Sequence, residues 1–123
     1  MSILLDTSVV VDCLRARSSA SAYVRRLATR PSISVVTVSE ILAGVRRRRE
    51  EEDATVFWSL VRPLDVDREI ARRAGVFVRL YHSSHSVELA DALIAATAEH
   101  HGLALATLNV KHFPMFPRLK MPY

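Results

Sequence analysis

A single cysteine, three glycines and five prolines are spread over 123 residues. Cys13, standing alone, excludes an intramolecular disulfide and a Cys-rich zinc site, which suits a reducing cytoplasm, and its setting predicts burial in a first helix. Gly and Pro are sparse and neither a low-complexity tract nor an internal repeat occurs, so no disorder is expected beyond the termini. Every long apolar stretch is broken by Asp or Arg well before bilayer length, and no basic segment precedes an apolar run near Met1. Neither membrane spanning nor export is therefore expected, and a cytoplasmic location is. Lysine is nearly absent, since fifteen of the seventeen cationic residues are arginine.

What is present is globular in character. Half of the residues are hydrophobic, and the length supports one core, so a single domain spanning residues 1–123 is expected. The formal charge of +4 is carried by arginine, whose planar fork holds phosphate bidentately, so a phosphate-rich partner fits the composition. Arginines that merely solvate helix faces fit it equally well.

Periodicity orders the elements. Ile3, Leu4 and Leu5 read as a short buried strand, and Thr7 or Ser8 can cap a helix carried by Val9, Val10, Val11 and Leu14. SSASAYVRRLATR reads as a second helix ending at Arg30 and Pro31, and ISVVT as a second strand. Thr37 or Ser39 opens TVSEILAGVRRRR, with Val38, Ile41, Leu42 and Val45 facing inward. EEEDATVFWSLV is a further helix, LDV after Pro63 a short strand, and DREIARRAGVFVRLYH a long helix with acids in its first turn. Ser86 caps SVELADALIAATAEHHG, stopped by Gly102. LALAT is a strand, and the proline-rich tail NVKHFPMFPRLKMPY fits a loop with room for one edge strand. Strands alternating with helices imply a mostly parallel sheet covered on both faces, with sites at the C-terminal edge of the strands.

Three carboxylates are oddly placed against that scheme. Asp6 interrupts an apolar run at a strand's C-terminal edge. Glu40 follows the second strand, in the first turn of its helix, among the small or hydroxyl residues Thr37, Ala43 and Gly44. Asp91 shares a helix face with Val87, Ala90, Ile94, Ala95 and Ala98, and nothing cationic lies within one turn, so its partner comes from elsewhere in the fold or is a bound ion. Taken singly, each acid also reads as a helix-start residue or an ion-pair partner. Taken together, carboxylates about 4 Å apart repel by roughly 4 kcal/mol at an effective dielectric near 20, which a divalent cation offsets. Oxygen ligands without cysteine or matching histidine favour Mg²⁺ or Mn²⁺ over Zn²⁺. His100 and His101 read as C-terminal dipole partners of the Asp91 helix. Thr107 and Asn109 leave the last strand at the same edge, where they either hold metal-bound water or form a capped turn.

LLDTS, TVSEILAG, ELADALIAATA and LATLNVKHF, in that order and at those separations, resemble PIN-domain ribonucleases, and most closely the VapC-type toxins of toxin–antitoxin systems. The resemblance covers essentially the whole chain. It implies a three-layer α/β/α sandwich, an acidic Mg²⁺ site for which Mn²⁺ can substitute, endonucleolytic cleavage of RNA, and inhibition by a cognate antitoxin protein bound to a homodimer. It places Asp6, Glu40 and Asp91 as the metal-site acids and Asn109 at a fourth position, where family members often carry an acid.

In that scheme Mg²⁺ is held by Asp6 and Asp91, with Glu40 aiding directly or through water, while Thr7 and Ser8 orient the scissile phosphate. Arg15 and Arg17 follow the first helix, and Arg46, Arg47, Arg48 and Arg49 extend the Glu40 helix, so both sets are candidates to track backbone phosphates. Two other readings compete. One is a non-catalytic RNA-binding module of the same fold. The other is a phosphatase of the haloacid dehalogenase type, whose pattern wants a second Asp where Ser8 stands.

Overall fold

The computed structural model describes residues 2–123. Its elements run β1 (Ile3–Leu5), α1 (Thr7–Leu14), α2 (Ser18–Arg25), β2 (Ser32–Ser34), α3 (Val35–Ala43), α4 (Arg48–Trp58), β3 (Arg62–Leu64), α5 (Arg68–His85), α6 (Leu89–His100) and β4 (Ala104–Ala106), followed by a 3₁₀ turn over Val110–His112. The four strands form one parallel sheet in the order β3-β2-β1-β4. Leu4 stands opposite both Ser32 and Leu105, which puts β1 in the interior of the sheet. Pro63, which has no amide to donate, sits in the outer strand β3, where a missing ladder bond is tolerated.

Alternation along β1 divides the core between the two faces of the sheet. Leu4 packs with Ile70, Ala74, Phe77, Ala92 and Ile94 of the α5/α6 layer, whereas Leu5 packs with Val9, Val10, Ile33 and Val61 on the other face. Each fully buried Leu or Ile contributes about 1.5–3 kcal/mol, so two residues of one short strand tie both helical layers to the sheet. On α6 the buried residues Ala92, Ala95, Ala96 and Ala98 combine high helix propensity with small volume, which lets α5 approach closely. Across that helix pair Arg73 grips Glu99 at 2.7 and 3.3 Å and lies 4.4 Å above the Phe77 ring. No helix among the described residues is long and apolar enough to cross a membrane.

Several boundaries differ from the sequence expectation, each for a local physical reason. Strand β2 stops at Ser34 because that hydroxyl accepts from the amide of Val36 at 3.1 Å and starts α3 there, so Val35 to Thr37 are helical. Glu40 consequently lies in the second turn of α3. Asp6, and neither Thr7 nor Ser8, occupies the N-cap of α1. Helix α2 ends at Arg25, and Arg30 instead donates to the carbonyls of Ser59 and Val61.

Ser86 closes α5 in the left-handed conformation (φ 54°), and Glu88 stands at the N-cap of α6. Leu42 is 41 % exposed, so it leaves the inward stripe expected of it. Cys13 is half-buried rather than buried. The tail forms the 3₁₀ turn and then irregular backbone, with no strand after β4 among the described residues.

The run of arginines requires a larger correction. Helix α3 ends at Ala43, so Arg46 and Arg47 lie in the connection to the next helix, and Arg48 and Arg49 begin α4. Glu50 Oε1 accepts the amides of Arg46 at 3.1 Å and Arg47 at 3.0 Å, satisfying donors that a helix start leaves open. Acidic Glu50 and Glu51 in the first turn of α4 complement its dipole, which four consecutive arginines oppose.

Candidate active site

Parallel strands deliver their following residues to one edge, and the segments carrying the candidate acids start from it. Asp6 follows β1, α3 follows β2, and Thr107 follows β4. Because α6 runs back against the sheet before β4, its first turn, with Asp91, returns to that same edge.

Asp6 is 3 % exposed, and burying its charge is compensated by two hydroxyl donors on one oxygen. Ser8 donates to Oδ2 at 2.8 Å and Thr107 donates to Oδ2 at 2.7 Å. Each hydroxyl is oriented in turn by a backbone amide: Leu108 N–H donates to Ser8 Oγ at 3.0 Å, and Asn109 N–H donates to Thr107 Oγ1 at 2.9 Å. Two amide-to-hydroxyl-to-carboxylate relays thus converge on Oδ2. No hydrogen bond reaches Oδ1 among the described residues, so that oxygen is the one left to a ligand.

Glu40 is organised by a third relay. Thr7 Oγ1 donates to Glu40 Oε1 at 2.7 Å, and with its only proton so committed it accepts from Thr37 at 2.8 Å. Thr37 is fully buried while Glu40 is exposed, so the relay runs from the interior to the mouth of the site. Of the two kinds of donor by which Thr7 and Ser8 could orient a phosphate, hydroxyl or backbone amide, the hydroxyls are committed to carboxylates. What Thr7 and Ser8 offer a phosphate is the pair of backbone amides at the start of α1, where intrahelical partners are absent.

Asp91 takes its partner from outside its own helix, as the lack of a nearby cation requires. His112 Nδ1 lies 3.3 Å from Asp91 Oδ2, and the Glu88 amide approaches the same oxygen at 3.4 Å. The carboxylate is 20 % exposed. His112 carries no periodic signal, because it lies in a 3₁₀ turn beyond the last strand. Asn109, the fourth position, is exposed on that turn, and its amide side chain makes no hydrogen bond among the described residues.

The edge brings Asp6, Thr7, Ser8 and Glu40 into direct contact chains, and links Asp91 to them through the His112 turn. It does not close the acids into a cage: among the described residues no three Asp, Glu, His or Cys side chains stand close enough to hold one metal ion. The donor set nevertheless suits a hard divalent cation, because it is all oxygen and each acid keeps an oxygen free of protein contacts. Mg²⁺ keeps several waters and is commonly held through one or two carboxylates, so a three-carboxylate cage is not required of this chain.

None of the candidate arginines forms an ion pair with Asp6, Glu40 or Asp91 among the described residues. Arg17 is 3.9 Å from Asp12, Arg48 pairs with Glu52 at 3.4 Å, and Arg15 lines a cleft beside Glu40. Asp12 is a further buried acid that the pattern did not single out. It accepts from the Tyr123 hydroxyl at 2.8 Å, while Tyr123 packs 5.8 Å from the Tyr23 ring. Desolvation first, and then the Asp12 bond, push the Tyr123 phenol well above its ordinary range. Burial, then the neighbouring Asp12 charge, push the Cys13 thiol up as well.

Residues 3–117 match the model of the PIN domain family. Ribonuclease VapC10 of Mycobacterium tuberculosis is 41 % identical over 98 % of this chain and 92 % of its own length. Ribonuclease VapC19 of the same organism is 39 % identical over 98 % of each. Among solved structures, a toxin–antitoxin complex from Klebsiella pneumoniae superposes with a TM-score of 0.83 at 28 % identity, covering 99 % of this chain and 98 % of that one.

Proposed function

The chain belongs to the PIN domain family, and from that membership we propose that it is a metal-dependent endoribonuclease, the toxin of a toxin–antitoxin pair held inactive by a cognate antitoxin. The observation that carries the chemistry is the convergence of two amide-hydroxyl relays on Asp6, a buried carboxylate with one oxygen kept free at the C-terminal edge of a parallel sheet.

Asp6, Asp91 and Glu40 are the proposed acids, with Asn109 beside them. The activity depends on a divalent cation; Mg²⁺ is the ion proposed, with Mn²⁺ as its substitute. When bound, such an ion supplies acidification of water and neutralisation of charge developing on the phosphodiester. The chain's own residues do the rest. Asp6 offers Oδ1 because Ser8 and Thr107 hold Oδ2 still, and Asp91 is aimed by His112 and the Glu88 amide. Glu40, held by Thr7 through Oε1, keeps its second oxygen to take a proton from the attacking water. The Thr7 and Ser8 amides are placed to receive a phosphate oxygen.

The chain itself offers a surface for the antitoxin. A cleft of about 190 Å³ between α1, α3 and α4 is lined by Glu40, Glu50 and Asp53 against the single cation Arg15, with Leu14 and Ile41 as apolar walls. Its charge and its walls suit an arginine carried on a partly apolar helix of the partner.

Purified protein incubated with RNA and Mg²⁺ tests the reading. Cleavage that requires the ion and disappears in Asp6→Ala, while RNA binding is retained, is the expected result. Binding without cleavage by the parent protein would establish a non-catalytic module instead.

A further inference from the structure

We propose that the RNA strand is held beside the acidic centre in a groove between the His112 turn and the tail, with Lys111 and Lys120 each neutralising a backbone phosphate. This deepens the ribonuclease reading and rests on it. The groove encloses about 520 Å³ between residues 108–112 and residues 119–121. The chain has only two lysines, and both line this groove.

The electrostatics set this groove apart from the arginine run. No acidic residue lines it. Lys111 and Lys120 are exposed, and neither forms an ion pair among the described residues. Arg46 to Arg49, by contrast, are followed at once by Glu50, Glu51, Glu52 and Asp53, so that stretch carries no net charge. A polyanion meets no carboxylate in the groove, whereas at the arginine run four acids stand next to the four cations and Arg48 is already paired with Glu52.

Position ties the groove to the site. Its wall begins at Leu108 and Asn109, whose amides feed the two relays on Asp6, and it includes His112, which contacts Asp91. A strand lying in it therefore runs along residues one or two contacts removed from Asp91 and Asp6. Both walls are anchored: Phe113 is fully buried in the α5/α6 core, and Tyr123 is tied to Asp12 on α1. The groove is thus formed before any ligand arrives, which lowers the entropy lost on binding. Leu108, Leu119 and Met121 supply apolar surface to the flat faces of bases, a feature a purely acidic peptide would not use. Lysine binds phosphate as a point charge and reads no base, so the groove holds the strand without choosing its sequence.

The test uses the full chain carrying Asp6→Asn, with Mg²⁺ present, and a fluorescently labelled single-stranded RNA. Anisotropy is measured across a salt series. Adding Lys111→Gln and Lys120→Gln should weaken binding and reduce the slope of log affinity against log salt by about 1.4, roughly 0.7 for each phosphate contact on a single strand. Arg68→Gln with Arg72→Gln, on α5, should leave the slope unchanged. Unaltered melting temperatures confirm that the exposed substitutions do not act through folding. If the Asp6→Asn protein binds RNA but the double lysine variant keeps its slope, the groove assignment is overturned and the ribonuclease reading stands. A lysine variant that loses antitoxin affinity while keeping RNA affinity assigns the groove to the partner and equally overturns it. Absence of any salt-dependent RNA binding by the Asp6→Asn parent would sink both.

Discussion

Asp91 and His112, 21 residues apart in the chain, meet with Nδ1 of the imidazole 3.3 Å from Oδ2 of the carboxylate. The pair joins the first turn of α6 to the turn beyond β4, so the two elements that bound the site on this side are fixed to each other. It also completes a pattern among the acids. Asp6 is held through Oδ2, Asp91 through Oδ2 and Glu40 through Oε1, and each leaves its other oxygen free of protein hydrogen bonds among the described residues. Scaffold contacts on one oxygen set the orientation of the other, which is how a rigid frame prepares a ligand position.

Asp91→Asn keeps the shape of the side chain and removes its charge. Cleavage is expected to fall below detection while the fold is retained. In chelator the variant should melt no lower than the parent, because both partners of the Asp91–His112 contact are part-exposed and such pairs contribute at most about 1 kcal/mol. A clearly lower melting temperature in chelator would make Asp91 a structural partner of His112 instead.

Thr7→Val removes a donor to Glu40 and an acceptor for the fully buried Thr37 hydroxyl at almost constant volume. The orphaned hydroxyl costs about 1–3 kcal/mol, measurable by urea denaturation. Cleavage should fall as well, since Glu40 loses the contact that aims it. In a double-mutant cycle with Glu40→Gln, the combined loss of activity should be much smaller than the product of the single losses. Independent, multiplying losses would mean that Thr7 acts without Glu40.

Tyr123→Phe should destabilise the fold by about 1.5–3 kcal/mol at neutral pH, because Asp12 loses its hydroxyl donor in a mostly buried position. The phenol is raised in the folded state relative to an unfolded value near 10, so between those values the folded protein binds more protons than the unfolded chain. The stability this supplies is complete below about pH 10 and is lost as pH climbs above it. The difference in denaturation free energy between parent and variant should therefore stay constant from pH 7 to about pH 9 and narrow above pH 10. A gap that widens in that range would contradict the assignment.

Mg²⁺ titrated against the purified toxin–antitoxin complex separates two modes of inhibition. An antitoxin arginine seated in the acidic cleft beside Glu40 competes with the ion for carboxylate oxygens, so rising Mg²⁺ should release the partner or restore cleavage. Release and activity that stay flat across the range would mean that the antitoxin acts by covering the RNA path.

The sequence by itself determined what depends on neighbours a few residues away. The apolar triplet of β1 ended by Asp6, the stripe around Asp91 and the stop at Gly102 were all legible, and strands alternating with helices implied the parallel sheet. The motif order also carried the family resemblance that the match over residues 3–117 shows to be membership. Boundaries were less legible where two local preferences compete: the β-branched run Val35–Thr37 favours a strand, yet the Ser34 hydroxyl caps a helix there. That early start left Arg46 and Arg47 outside α3 and carried Glu40 into its second turn.

Only the tertiary structure decided who holds whom. Thr107 reaches Asp6 across 101 residues, Tyr123 reaches Asp12 across 111, and Lys111 shares a groove with Lys120 because the tail folds back past the turn. Such pairings leave no periodic trace, because a hydrogen bond depends on where the packed elements bring two atoms and not on their spacing along the chain.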